Sequence, residues 1–366
     1  MGLFKRARSE PHEPIQPRGN GTAVAADSFL LPTFLRQLAD PAIKTVLLCG
    51  CGGGFDFVHS LTLYPELMRL GKNVVIGSYS FGDPNKITGA IDVFKDARAI
   101  AKRVSAASTP ASHYGPEVHI CSFLDLRYPS QAPHFVYAYY ARSFTVPLLT
   151  QLYQQFIDSH SIDAIVLVDG GSDSLMVGDE EGLGDPIEDA VSVTTVAALK
   201  GLKARVLISI GLGTDRFNQV SDAASLRAIA ELTRMGGFRG AVSLEPEAVG
   251  SCFYRDCLEH IYERQGFRSV LAGTIASAVE GCFGRDGVPA ILQDRVQPGQ
   301  LFLWPLMAML WAFDVETVAR RSLIANWIRE CQTVPDCYTA VLQGRIDLGA
   351  ALRDVENLPR HEEMRG

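Results

Sequence analysis

The stretch "IDAIVLVDGGSDSLMVGDEEGLGDPIEDA", residues 162–190, decides how this chain is read. It opens on the run Ala164–Val168, apolar on both faces and of strand length, which suits a strand buried inside a parallel sheet. It closes on Pro186 followed by Glu188 and Asp189, and a proline at the first position with acids in the first turn marks a helix start. Between these lie residues 169–189, with eight carboxylates, five glycines and no lysine or arginine. Like charges repel and glycines lose entropy on ordering, so a mere connector would be poorly built this way. Either something is held there or backbone amides take up part of the charge.

The same unit recurs on both sides of this stretch. "IKTVLLCG" leads through "CGGGFD" to a helix over "FVHSLTLYPELMRLG", and "NVVIGSYS" leads through "FGDPNKITG" to an expected helix near residues 89–106. "PEVHICSFLD" reads as a third strand, "FTVPLLTQLYQQFIDSH" as the helix feeding the fourth, and "ARVLISIGLGTDRF" as a fifth strand with its loop. Alternating strands and helices predict an α/β, doubly wound, mainly parallel (Rossmann-like) sheet. Beyond about residue 220 the pattern turns helical apart from one strand at 240–246, with "DAASLRAIAELTRMG", "PEAVGSCFYRDCLEHIYERQG" and "DVETVARRSLIANWIRECQ" as helices. The expected organisation is a disordered tail over 1–25, a single domain over 26–350 with helical elaboration from about 220, and a flexible tail over 351–366.

Composition narrows the function classes. The 366 residues are 47% hydrophobic, enough for a large core, and the net charge of −7 with no basic patch outside the short N-terminal tail argues against a nucleic-acid or anionic-membrane surface. "LFLWPLMAMLWAF", residues 301–313, is too short for a membrane span, which needs roughly 20 residues, and reads as a buried helix. The basic start of the chain has no apolar segment behind it, and Arg6 stands where a myristoylation signal wants Ser or Thr, so a cytoplasmic protein is expected. The eight cysteines have neither zinc-site spacing nor the density of a disulfide scaffold.

In an open parallel sheet, ligands bind beyond the carboxyl ends of the strands. "GCGGGFD", "SFGDPNK", the 169–189 segment and "GLGTDRF" all fall at that end and would form one rim. Gly50, Cys51, Gly52, Gly53, Gly54 and Asp56 are expected ligand-binding residues, because bare backbone amides at a helix start favour an anion such as a phosphate. The dinucleotide pattern G-x-G-x-x-G fails at Phe55, and no P-loop run exists. Gly170, Gly171, Gly211, Gly213 and Asp215 complete the rim, with Arg142 as a cation able to clamp a phosphate or carboxylate.

Asp169, Asp173, Asp179 and Glu180 are the expected catalytic carboxylates, and Asp169 and Asp173 the expected metal ligands. Hard oxygen donors beside a phosphate suit Mg²⁺, and a carboxylate can also serve as general base. Asp185, Glu188 and Asp189 read equally well as a helix cap and its dipole-favoured first turn. Three functions stay open. The first is an enzyme acting on a nucleotide or phosphorylated small molecule by hydrolysis or group transfer. The second is a non-catalytic nucleotide or metabolite sensor or complex subunit. The third, on the strength of "GGSDS", is an ATP-pyrophosphatase-like adenylating enzyme. The expected partner is a small, phosphorylated ligand, with no nucleic acid and no membrane, and a homo-oligomer is compatible with the sequence.

At "VLLCGCGGGFD" and "DGGSDSLMVGDEEGLGDPIEDA" the chain resembles an uncharacterised family of Rossmann-like α/β proteins of archaea and bacteria, classed as a domain of unknown function. The resemblance extends over residues about 40 to 330 and implies the fold and both loops. It implies no reaction and no residue role.

Overall fold

Nine strands pair into one sheet in the computed structural model, which describes residues 31–110, 114–285, 295 and 301–349. They are β1 (Thr45–Gly50), β2 (Asn73–Ser80), β3 (Ile91–Lys95), β4 (Ile100–Val104), β5 (Val136–Tyr140), β6 (Ala164–Asp169), β7 (Ala204–Ile210), β8 (Phe238–Ser243) and β9 (Met309–Asp314). Their order is β3-β4-β5-β2-β1-β6-β7-β9-β8. The five central strands, β5-β2-β1-β6-β7, run parallel, and antiparallel pairs flank them on both sides. This is the α/β, Rossmann-like architecture with C-terminal helices that the strand–loop–helix units predict. The expectations for the tails, residues 1–25 and 351–366, lie outside the described residues.

Both faces of the sheet are covered because alternate residues point to opposite sides. Val46, Leu48, Val166 and Val168 pack with the helices Pro116–Arg127 and Val249–Tyr262 on one side. Leu47, Cys49, Ile165 and Leu167 pack with Val146–His160 and Pro186–Ala198 on the other. Every residue of β1 and β6 is buried, which is why their sequences show no polar alternation.

Three expectations about elements are corrected. "PEVHICSFLD" belongs to the helix Pro116–Arg127, which Pro116 opens at its first turn, and the third parallel strand is β5, "VYAYY". Residues 89–106 hold the hairpin β3–β4 instead of a helix. There the Asp96 carboxylate accepts from the Arg98 amide at 2.9 Å and the Asp96 amide donates to Ala99 O at 2.8 Å, closing a turn that competes with helix. Residues 301–313 contain a short 3₁₀ turn, Pro305–Ala308, and then β9, which adds antiparallel to β7. A continuous apolar run fits a buried strand as well as a buried helix, and Pro305 blocks the helical option.

The amino ends of the central strands are closed by a neutralised carboxylate. Asp163 accepts from the amides of Lys44 (2.6 Å) and Thr45 (3.1 Å) and pairs with Lys203 at 2.7 Å. Burial alone would raise its pKa, but Lys203 and the two amides outweigh that and hold the carboxyl below its usual range. The opposite end of the sheet is built on another principle. No helix among the described residues is long and apolar enough to cross a membrane.

Candidate functional site

Strand order reverses between β1 and β6, and in open parallel sheets the carboxyl ends of the strands at such a reversal are where ligands bind. Three carboxylates converge there. Asp56 begins a short helical turn and accepts from Gly52 N at 2.9 Å and Gly170 N at 3.1 Å, tying the two loops together. Asp169 is the last residue of β6 and accepts from the Ser174 hydroxyl. Asp189 enters from the first turn of the helix Pro186–Ala198. One oxygen from each lies within 4.8 Å of the others, and the residues are only 8%, 2% and 4% exposed, respectively. The buried Asp189 Oδ1 has no hydrogen-bond partner. Gly52 is required by this approach, since a Cβ there would stand 2.8 Å from Asp56 Oδ2 and 3.0 Å from Asp189 Oδ1.

Two further buried acids stand beside the three. Asp173 accepts from Asp185 N at 3.0 Å, and Asp215, on the loop after β7, accepts from Ser172 N at 2.7 Å. Burial is the main force raising all five carboxyls, and the neighbouring carboxylates add to it. Asp56, Asp169, Asp173 and Asp189 are pushed well above the usual range, and Asp215 to about 7. No ion pair among the described residues reaches any of the five. Two ionised carboxylates separated by 4.8 Å repel by about 3.5 kcal/mol at an effective dielectric constant of ~20. Such a set is stable only when it carries protons or encloses a cation, and an all-oxygen, anionic donor set fits a divalent ion.

The expected site residues divide between this cluster and its framework. Asp169 sits in it and Asp173 borders it, but the third and fourth expected catalytic acids do not join it. Glu180 spends both oxygens on backbone amides, at 2.9 and 3.0 Å from Val177 N and 2.9 Å from Gly178 N, and so shapes the loop. Asp179 lies half-buried on the same turn. Of the expected metal-ligand pair, Asp169 belongs to the three-carboxylate group with Asp56 and Asp189, and Asp173 stands beside that group.

The glycine loop is not an open anion cradle. Cys51 N donates to Val168 O (2.8 Å), Gly52 N to Asp56, and Gly54 N to Tyr79 O (3.1 Å). The half-exposed Phe81 ring covers Gly53 and Gly54, leaving no space for a Cβ at either, while Gly50 packs against Asp56 and Phe57. Cys51 is buried, and burial together with Asp189, Asp169 and Asp56 keeps its thiol protonated.

The other expected residues hold the rim in place. Gly170 donates its amide to Asp56, and Gly171 leaves room for Asp215, whose Oδ2 would stand 2.1 Å from a Cβ. Ser209 donates its hydroxyl to Gly171 O. Gly211 and Gly213 turn the chain after β7 and bring in Asp215, as Thr214 N bonds Gly211 O at 2.8 Å. Arg216 is held by Asp222, Phe302 O and the Trp304 ring. Arg142 is exposed just past β5, near enough to Glu188 for its charge to offset part of the rise that burial and Asp185 impose on that carboxyl. "GGSDS" runs from β6 into the three-residue turn Asp173–Leu175 without opening a helix.

Asp185 reads from the sequence as the cap of the helix Pro186–Ala198 with Glu188 and Asp189 in its first turn; both acids do stand in that turn, but the side-chain cap is absent. Asp185 makes no side-chain bond to the helix amides. Glu188 is buried, raised to about 8 by burial and then by Asp185, and its Oε2 has no partner. His59 carries no motif in the sequence, yet it is fully buried beside the cluster. Burial holds its imidazole neutral, with the pKa pulled down to about 3. A shallow depression on the outer face of Val146–His160, lined by Thr150, Gln151, Gln154, Gln155, Asp158 and Ser159, contains none of these groups.

No curated protein and no solved structure matches the chain. One family model matches residues 47–346, which include every carboxylate of the cluster and both loops that carry it. The chain belongs to that family, the proteins of unknown function DUF1152.

Proposed function

We propose that this protein is an enzyme acting on a nucleotide or phosphorylated small molecule, by hydrolysis or group transfer, with a divalent cation held by Asp56, Asp169 and Asp189. The observation that carries this reading is the buried three-carboxylate group at the strand-order reversal, which no lysine or arginine among the described residues neutralises. A cation bound there would supply Lewis acidity and a point of attachment for phosphoryl oxygens, a task that the engaged amides of the glycine loop are badly placed to perform. Asp173, bordering the group with its pKa raised by burial and by Asp215, is the carboxyl suited to accept a proton from the attacking group. Arg142, on the same rim, suits the anionic remainder of the substrate.

The test is a thermal-shift panel of nucleotides, NAD-type dinucleotides, sugar phosphates and amino acids, each with Mg²⁺, Mn²⁺ or EDTA, followed by turnover assays on the compounds that bind. A cation-dependent rise with a phosphorylated compound, and product formation lost in Asp173→Asn, is the expected result. Stabilisation by an unphosphorylated ligand that ignores EDTA would overturn the phosphate assignment. Binding without turnover would make the protein a sensor or complex subunit.

A further inference from the structure

Phe81 follows directly on β2, and its ring is 53% exposed. Its seat is a pair of glycines. A Cβ built on Gly53 would stand 2.7 Å from Cζ and 2.8 Å from Cδ1 of the ring, and one built on Gly54 would stand 2.8 Å from Cε2 and 2.9 Å from Cδ2. Atoms from both edges of the ring touch this backbone, so one face lies on the glycine loop and the other is turned to solvent. The chain is pinned just past the ring: Gly82 N donates to Ser80 Oγ at 3.0 Å, and the Asp83 carboxylate accepts from Asn85 N at 3.0 Å. A single exposed apolar side chain needs no explanation, but a flat ring fixed on two glycines is a platform.

The platform stands close to the buried acids. Gly52, the neighbour of Gly53, would place a Cβ 2.8 Å from Asp56 Oδ2 and 3.0 Å from Asp189 Oδ1. Consecutive Cα atoms are 3.8 Å apart, so the ring edge lies no more than about 12 Å from those oxygens. A ribose carrying one or more phosphates bridges that span, with a phosphate at the cation and a base at the ring. The aromatic surface continues beyond Phe81. A Cβ on Gly82 would meet Tyr114 Cδ1 at 3.4 Å, and Tyr114 packs edge-on with Phe267 at 5.4 Å between centroids, both rings being half-buried.

Resting on the cation and phosphate reading above, we propose that Phe81 is the stacking platform for a purine or pyrimidine ring, and that the substrate is therefore a nucleotide and not a sugar phosphate. Every base offers a π face, so stacking selects nucleotides as a class without choosing among the bases.

Calorimetric titrations of the full chain in Mn²⁺ test this with AMP, GMP, CMP, UMP and ribose 5-phosphate, the last carrying the same sugar and phosphate without a base. At least one nucleotide should bind about tenfold or more tighter than ribose 5-phosphate. Phe81→Ala should cost that nucleotide about tenfold in affinity and ribose 5-phosphate less than about twofold. Phe81→Trp keeps a π face, so it should retain the nucleotide preference, and the nucleotide, unlike ribose 5-phosphate, should quench the added indole. Equal affinity for nucleotide and ribose 5-phosphate would overturn the stacking assignment and leave the phosphate reading standing. So would a Phe81→Ala loss that is absent or is shared equally by the two kinds of compound. Failure of all five compounds to bind in Mn²⁺ would overturn the phosphate reading and the inference with it.

Discussion

Replacing Asp215 by asparagine should stabilise the metal-free protein above neutral pH and leave it nearly unchanged in acid. Asp215 is buried, its pKa stands at about 7 against an ordinary 3.8, and burial followed by the Asp169 charge raises it. A carboxyl whose pKa is raised by folding binds more protons folded than unfolded, so its contribution falls as pH climbs from about 4 to about 7 and is flat beyond. The gap between 3.8 and about 7 is worth about 4 kcal/mol. Asparagine keeps an oxygen to accept from Ser172 N and carries no charge. At about 2.1 cal/mol/K of unfolding entropy per residue, 366 residues translate 4 kcal/mol into a Tm change of about 5 °C. Melting curves in EDTA at about pH 4 and about pH 8 should show a rise of that order only at the higher pH. An equal loss of Tm at both would refute the reasoning, because it would mean that the carboxylate is not a strained charge.

Further expectations follow from the same geometry. Glu180→Gln leaves one of the buried Val177 and Gly178 amides facing an NH₂ group, so denaturant unfolding should show a loss of about 1–3 kcal/mol, with cation binding retained. Retained stability with lost binding would return Glu180 to the site. Cys51, held protonated by burial and three neighbouring acids, should resist alkylation at about pH 8 in the native protein and react after denaturation. Rapid native labelling at that position, located by mass spectrometry of peptides, would show that the loop is open to solvent.

The fold was legible where burial and punctuation agreed. "IKTVLLCG", "DAIVLVD" and "ARVLISIG" are apolar on both faces and followed at once by glycine or aspartate, and they became β1, β6 and β7. It was illegible where an apolar run carried no period. Val118, Ile120, Cys121, Phe123 and Leu124 are all buried on the helix Pro116–Arg127, so that helix reads like a strand except for Pro116 at its start. In "VYAYY" the aromatic residues serve the core, where the Tyr139 hydroxyl bonds that of Tyr153 at 2.7 Å. The site divides in the same way. The two loops and Asp169 follow from topology and charge, since the carboxyl ends of a parallel sheet are where an unneutralised acid has a use.

Asp189 was harder to place because an acid in the first helical turn has a sufficient local explanation in the helix dipole. His59 left no sequence signal, since its placement depends on Tyr254, nearly two hundred residues away. Glu180 misled for the opposite reason, because a carboxylate two or three residues from free amides folds back on its own loop.

The most direct test of the central claim is a cation titration of wild type, Asp169→Asn and Asp189→Asn, followed by calorimetry and by Tm. At ~100 times its Kd, a cation that binds only the folded protein adds about 2.7 kcal/mol of stability. The account predicts that gain in the wild type and its loss in both variants, each of which should remain folded in EDTA. A wild-type protein indifferent to every divalent ion, or variants that bind as the wild type does, would contradict it.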